Sequence, residues 1–165
     1  RLKNKNGARP AWRILALEHS FHGRTFGALS TTATKKYRAP FEPLVPGFRF
    51  VRLNDVAHLR ESFSQQTAGM LLEVIQGEGG VVELSEEFLK TAQELCQKQD
   101  SLLIADEIQC GLGRTGRWFA FQRFGLKPDV VVVAKPLAGG IPLSAIIARE
   151  GAAQAFSATV RNGMA

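Results

Sequence analysis

The sequence predicts an α/β fold, a mainly parallel sheet flanked by helices. Short apolar runs alternate with helical patterns along most of the 165 residues. Two of the runs, Leu102-Leu103-Ile104-Ala105 and Val130-Val131-Val132-Val133-Ala134, are continuous rather than alternating. Continuous runs separated by helices are the pattern of central strands buried on both faces of a parallel sheet. No internal repeat or low-complexity segment interrupts the alternation.

The elements follow in order. Residues 12–17 read as a strand and 23–32 as a short helix; residues 48–53 read as a second strand. Asp55 is placed to cap a short helix running to Phe63, and 69–74 form a third strand. The clearest helix starts at Ser85, an N-cap followed by Glu86 and Glu87, where the helix dipole favours acids. Phe88, Leu89, Ala92, Leu95 and Cys96 then make one apolar helical face, so Cys96 is expected to be a small buried hydrophobe. Residues 101–105 are a strand, 118–124 a helix, 129–134 a strand and 144–148 a last strand. Only the loop 136–143 precedes that last strand, too short for a helical crossover, so an antiparallel return is expected. The stretch 35–47, with Pro40, Pro43 and Pro46, is expected to be irregular surface.

Composition narrows the function classes. Hydrophobic residues make up 45% and charged residues 22% of the chain, which is globular rather than disordered. No apolar run approaches the ~20 residues that cross a bilayer, and the first 13 residues are polar and basic, unlike a secretory leader. The net charge of +6 is an end effect: Arg1, Lys3, Lys5, Arg9 and Arg13 supply five positive charges, leaving 16 basic against 15 acidic residues elsewhere. No nucleic-acid or membrane partner is therefore expected. Cys96 and Cys110 make neither a disulfide framework nor a metal pair, which favours a reducing, cytoplasmic compartment. A start at Arg1, with Met70 and Met164 the only methionines, suggests a piece of a longer protein.

Open parallel sheets bind ligands beyond the carboxyl ends of their strands. Glu73, Gln76 and Glu78 come just after Leu71-Leu72; Asp106, Glu107 and Gln109 follow the run at 102–105; Lys135 follows the run at 130–134. Each alone reads as well as a solvated charge at a strand end. Together they deliver carboxylates, amides and one lysine to a common sheet edge. A lysine leaving an apolar strand can be desolvated, which favours the neutral amine that Schiff-base chemistry needs. A neighbouring aspartate can hold a pyridinium nitrogen protonated, the second protein group that pyridoxal phosphate requires. Two other motifs fail in context. Gly111, Gly113 and Gly116 match the dinucleotide pattern, but polar residues separate them from the preceding strand and the next acid, Asp129, begins a strand. His19, His22 and His58 lack the spacing of a metal site.

Four blocks occur in order: Phe21-His22-Gly23-Arg24-Thr25, Gln76-Gly77-Glu78-Gly79-Gly80, Asp106-Glu107-Ile108-Gln109-Cys110-Gly111-Leu112-Gly113-Arg114-Thr115-Gly116, and Ala134-Lys135-Pro136-Leu137-Ala138-Gly139-Gly140. Together they resemble the class III, pyridoxal-phosphate-dependent aminotransferases of fold type I. The segment from Lys36-Tyr37 to Gly47-Phe48 is similar to the acetylornithine aminotransferase branch in particular. The likeness covers residues 12–156, and Asp106 and Lys135 stand 29 residues apart.

The resemblance implies that residues 1–165 are a partial large domain, without the family's N-terminal segment or its small C-terminal domain. It implies that Lys135 carries the cofactor and shuttles a proton, that Asp106 pairs with the pyridine nitrogen, and that Gln109 bonds the ring oxygen. Glu107 and Ile108 are expected beside them at the cofactor. Phe21 would stack on the ring, although an apolar residue at a strand–helix junction explains it equally well. Arg24 would bind a substrate carboxylate through its planar fork. Glu78 would act at the ω-amino end of the substrate or gate a substrate-binding arginine; a turn carboxylate in a glycine-rich loop is the plainer alternative. The implied activity is transfer of an ω-amino group, from N-acetylornithine to 2-oxoglutarate in arginine biosynthesis, by a cytoplasmic homodimer. Ornithine, 4-aminobutyrate or acetyllysine aminotransferases are the enzymatic alternatives, and an inactive fragment or interaction module is the non-enzymatic one.

Overall fold

The computed structural model describes residues 11–154. Their main feature is a six-stranded sheet in the order β2-β1-β3-β6-β7-β8. The strands are β1 (Arg13–Leu17), β2 (Phe48–Val51), β3 (Thr67–Leu72), β6 (Leu102–Asp106), β7 (Val130–Val133) and β8 (Ala145–Ala148). A separate antiparallel ribbon pairs β4 (Ile75–Gln76) with β5 (Val82–Glu83). The helices are α1 (Phe26–Thr31), α2 (Lys35–Arg38), α3 (Val56–Ser62) and α4 (Glu86–Lys98), with 3-10 turns at Ala39–Phe41 and Ala120–Phe124. No helix among the described residues is long and apolar enough to cross a membrane.

The sheet is parallel from β2 through β7, and β8 returns antiparallel to β7, as its short connection requires. The caps expected from sequence are made. Asp55 accepts a bond from the His58 N–H at 2.8 Å, and Ser85 accepts one from Phe88 N–H at 3.2 Å. Phe88, Leu89, Ala92 and Cys96 of α4 pack with Leu59 of α3 against Leu15, Leu17, Met70, Leu72 and Leu103 of the sheet. Cys96 is buried and its Sγ lies 3.8 Å from the Leu102 carbonyl oxygen, the packed position its helical face predicts.

Three expectations change. The central strands are buried on both faces only in part: Val130 and Val131, adjacent in β7, are both buried, but β3 and β6 alternate. Met70, Leu72, Leu103 and Ala105 are buried, whereas Leu71, Leu102 and Ile104 are only half-buried. Successive strand residues point to opposite faces. The buried set therefore lies under α3 and α4, and the half-buried set lies on the other face, which the described residues cover less completely. Residues 35–47 are not wholly irregular, because α2 and the turn Ala39–Phe41 occupy the first half. The helix expected at 118–124 shrinks to a single 3-10 helix, Ala120–Phe124, closed by Gly125 at φ +60. Trp118 stays exposed, so the apolar pattern there did not have a second helical turn to pack.

Candidate active site

Registers fix the geometry of the site. Leu71 pairs with Ile104, and Asp106 with Val132, so β3, β6 and β7 end side by side at one sheet edge. Asp106 is the last residue of β6 and shares the less covered face with Leu102 and Ile104. It is buried, and both carboxylate oxygens are engaged. Oδ2 lies 2.7 Å from His22 Nδ1, and Oδ1 accepts the Ile108 N–H at 3.1 Å.

His22 reaches Asp106 because the loop after β1 is tied down. The His22 N–H donates to Thr32 Oγ1 at 3.0 Å, the Ala33 N–H donates to the Ser20 carbonyl oxygen at 3.0 Å, and Ser20 Oγ donates to the Thr31 carbonyl oxygen at 3.0 Å. The His22 side chain is 2% exposed, and its Nε2 is buried with no hydrogen-bond partner among the described residues.

Glu73 stands one residue beyond β3 and is buried. Its Oε2 accepts the Phe21 N–H at 3.3 Å. Burial pushes the Glu73 carboxyl up from its ordinary 4.5 to about 7; His22, the Phe21 N–H and Lys135 pull it down, and Asp106 adds to the rise. Glu73 thus feels the charges of Asp106 and Lys135 at the two neighbouring strand ends.

Lys135 stands two residues beyond β7, in a turn closed by the Leu137 N–H on the Ala134 carbonyl oxygen. It is exposed, so the described residues do not supply the burial expected of it. Gln109 is half-buried and its side-chain amide lies against Gly77. Phe21 is half-buried, with its ring edge-on to Tyr37 at 5.7 Å between centroids. Arg24 is exposed, its guanidinium 5.7 Å from the centre of the same Tyr37 ring. Glu78 is exposed in the glycine-rich loop between β4 and β5.

Glu107 goes elsewhere. Adjacent residues at a strand end point to opposite sides, and Glu107 turns into the core side, away from Asp106. Its two carboxylate oxygens accept the Ala120 and Phe121 N–H groups, each at 3.0 Å. Its carboxyl is pushed up by burial against the pull of those two N–H groups. Glu107 anchors the 3-10 helix Ala120–Phe124. Ile108 contributes a backbone N–H to Asp106, and no polar side chain. Cys110 is also committed to structure: Sγ donates to the Ile75 carbonyl oxygen at 3.1 Å, and burial pushes its thiol up to about 11.

Two residues of this cluster were given no role from sequence, although Glu73 was placed at the common edge. His22 carries no local signal beyond the Phe-His-Gly block, because its partner is 84 positions away. Glu73 did have a signal, being the first acid after a buried strand that ends beside β6.

Known proteins share this sequence pattern and this fold. The sequence profile described as aminotransferase class-III matches residues 2–163, and the chain belongs to that family. The acetylornithine aminotransferase of Aquifex aeolicus is 53% identical over 146 residues, covering 88% of this chain and 39% of that protein. That of Methanocaldococcus jannaschii is 42% identical over 149 residues, covering 90% and 37% respectively. The crystal structure of the ornithine aminotransferase from Toxoplasma gondii superposes with a TM-score of 0.82 at 37% identity, over 87% of this chain and 35% of that one. The chain thus spans well under half the length of these relatives.

Proposed function

We propose that residues 1–165 form part of the large domain of a pyridoxal-phosphate-dependent aminotransferase. The complete protein would move the ω-amino group of N-acetylornithine to 2-oxoglutarate, a step of arginine biosynthesis, as a cytoplasmic homodimer. The observation that carries this reading is the buried Asp106, held by His22 at 2.7 Å at the end of β6, beside the strand that delivers Lys135. The acetylornithine branch is favoured over the ornithine branch by the higher identity of those relatives, 53% against 37%.

The residues fit pyridoxal phosphate. Each carboxylate oxygen of Asp106 accepts one bond from the protein and retains a second lone pair. The His22 contact on Oδ2 would orient that oxygen toward the pyridine nitrogen and help keep it negative. Bound there, the cofactor supplies an electron sink for negative charge developing at the substrate carbon.

The chain's own residues would do the rest. Asp106 would hold a proton at the pyridine nitrogen. Lys135 Nζ would hold the cofactor and move a proton to and from the substrate Cα. The Gln109 amide would bond the ring oxygen, and the Phe21 ring would pack on the ring face. Arg24 would pair with a substrate carboxylate, and Glu78 would meet a cationic substrate end or a gating arginine. Glu107 and Ile108 would act from behind, one fixing the 3-10 helix and the other bonding Asp106 through its backbone.

The test is a donor panel on the complete protein with 2-oxoglutarate as acceptor. N-acetylornithine is expected to give a higher kcat/KM than ornithine, 4-aminobutyrate or acetyllysine. A clear preference for one of those three would replace the donor, and loss of all transfer with cofactor present would replace the reaction.

A further inference from the structure

Residues 77–80 place three glycines around one acid, Gly77-Glu78-Gly79-Gly80. Gly80, at φ +103, occupies the left-handed region that favours glycine. Gly77 and Gly79 do not occupy that region, so backbone conformation does not require glycine at either. What a side chain would meet at each is a glutamine amide. A Cβ on Gly79 would lie 2.8 Å from Gln76 Oε1. A Cβ on Gly77 would overlap Gln109 Oε1 and lie 2.8 Å from its Cδ and 3.2 Å from its Nε2. Real side chains essentially never approach that closely, so one side must move.

One of the two amides is hydrogen-bonded and the other is held only through its neighbour in the chain. Gln76 is fully buried, and its Nε2 donates to the Glu18 carbonyl oxygen at 2.9 Å, at the end of β1. Gln109 follows β6, and the next residue, Cys110, bonds the Ile75 carbonyl oxygen at the start of the same loop. The loop carrying Glu78 therefore lies against two amides, that of Gln76, bonded to the end of β1, and that of Gln109, in the turn after β6.

We propose that Gly77 is a positioning residue for Gln109. Its bare backbone sets where the Gln109 amide stands and registers the loop that carries Glu78 against the turn after β6. An alanine there displaces the Gln109 amide, the more yielding partner, rather than the backbone. The effect on the cofactor rests on the reading of Gln109 given above; the packing claim does not.

The experiment is a double-mutant cycle of Gly77→Ala and Gln109→Ala in the complete protein, with two readouts. The first is the dissociation constant for pyridoxal phosphate, together with the pH midpoint of the cofactor absorbance. Loss of one hydrogen bond to a charged group corresponds to roughly a tenfold weaker constant. Gly77→Ala and Gln109→Ala are each expected to give it, with the same shift of midpoint, and the double variant to give no more than either. The second readout is the melting temperature of the cofactor-free protein. Gly77→Ala is expected to lower it in the parental background and not in the Gln109→Ala background.

Additive effects in both readouts would overturn the proposal, as would a parental Gly77→Ala beside an impaired Gln109→Ala. If Gln109→Ala leaves the cofactor untouched, the cofactor reading of Gln109 fails and the melting cycle still decides the packing claim. If Gly77→Ala does not fold, folding of the double variant supports the contact, and failure of the double variant refutes it.

Discussion

Replacing Glu73 by glutamine should flatten the pH dependence of stability. Glu73 is buried at the end of β3, and that burial raises its carboxyl from 4.5 to about 7. Below about 4.5 the group is protonated whether the chain is folded or unfolded, and it costs nothing. Between 4.5 and 7 the unfolded chain gives up this proton while the folded one keeps it, so stability falls as pH rises. Above about 7 both states are ionised and the folded state bears the whole cost. At about 1.4 kcal/mol per pH unit, the interval corresponds to about 3 kcal/mol. Glu73→Gln keeps the shape and an acceptor for the Phe21 N–H but cannot ionise. Urea unfolding of the cofactor-free complete protein at pH 5, 6, 7 and 8 reads the difference. The variant should gain on the parent mostly between pH 5 and 7, by about 2 kcal/mol, and then level off toward pH 8. A difference between the two proteins that stays constant with pH would refute the reasoning, because packing changes alone do not titrate.

Asp106→Asn removes the anion beside His22 while keeping its shape; transamination should fall by orders of magnitude, since each ~1.4 kcal/mol lost from transition-state stabilisation costs tenfold. Near-parental turnover would make Asp106 a structural residue. Glu107→Ala should act on stability instead, costing about 2 kcal/mol or more by stripping the acceptors from Ala120 and Phe121, and should leave the order of donor preferences unchanged. Glu78→Gln should change the ratio of rates for the ω-amino donor and glutamate more than it changes cofactor affinity; an unchanged ratio with simple cofactor loss would remove Glu78 from substrate selection.

The sheet was legible because its signals are local. Val130 to Ala134 reads as a central strand, Ser85 and Asp55 read as caps, and the short connection before β8 dictates its direction. The sharing of one edge by Glu73, Asp106 and Lys135 followed from parallel topology alone. What sequence could not supply were contacts across long separations. The His22–Asp106 bond joins residues 84 positions apart, and nothing near His22 announces it. Glu107 was expected at the cofactor through the family resemblance, and what sequence could not supply is that its carboxylate accepts the Ala120 and Phe121 N–H groups, 13 and 14 positions away. The reason for Gly77 was hidden for the same cause, since the group that excludes its side chain is Gln109, beyond two intervening strands and a helix. The two-sided burial expected of the central strands holds at Val130 and Val131 and fails at Leu71, Leu102 and Ile104, because α3 and α4 both pack on the other face.

The most direct test of the central claim concerns Lys135, the lysine that the adjacent ends of β6 and β7 bring to the edge occupied by Asp106. The complete protein is loaded with pyridoxal phosphate, treated with borohydride to fix any cofactor joined to an amine, digested, and mapped by mass spectrometry. The pyridoxyl group should be found on the peptide containing Lys135, and Lys135→Ala should carry no covalent label. Label on Lys90, Lys98 or Lys127, with Lys135 unmodified, would contradict the site built on the three strand ends.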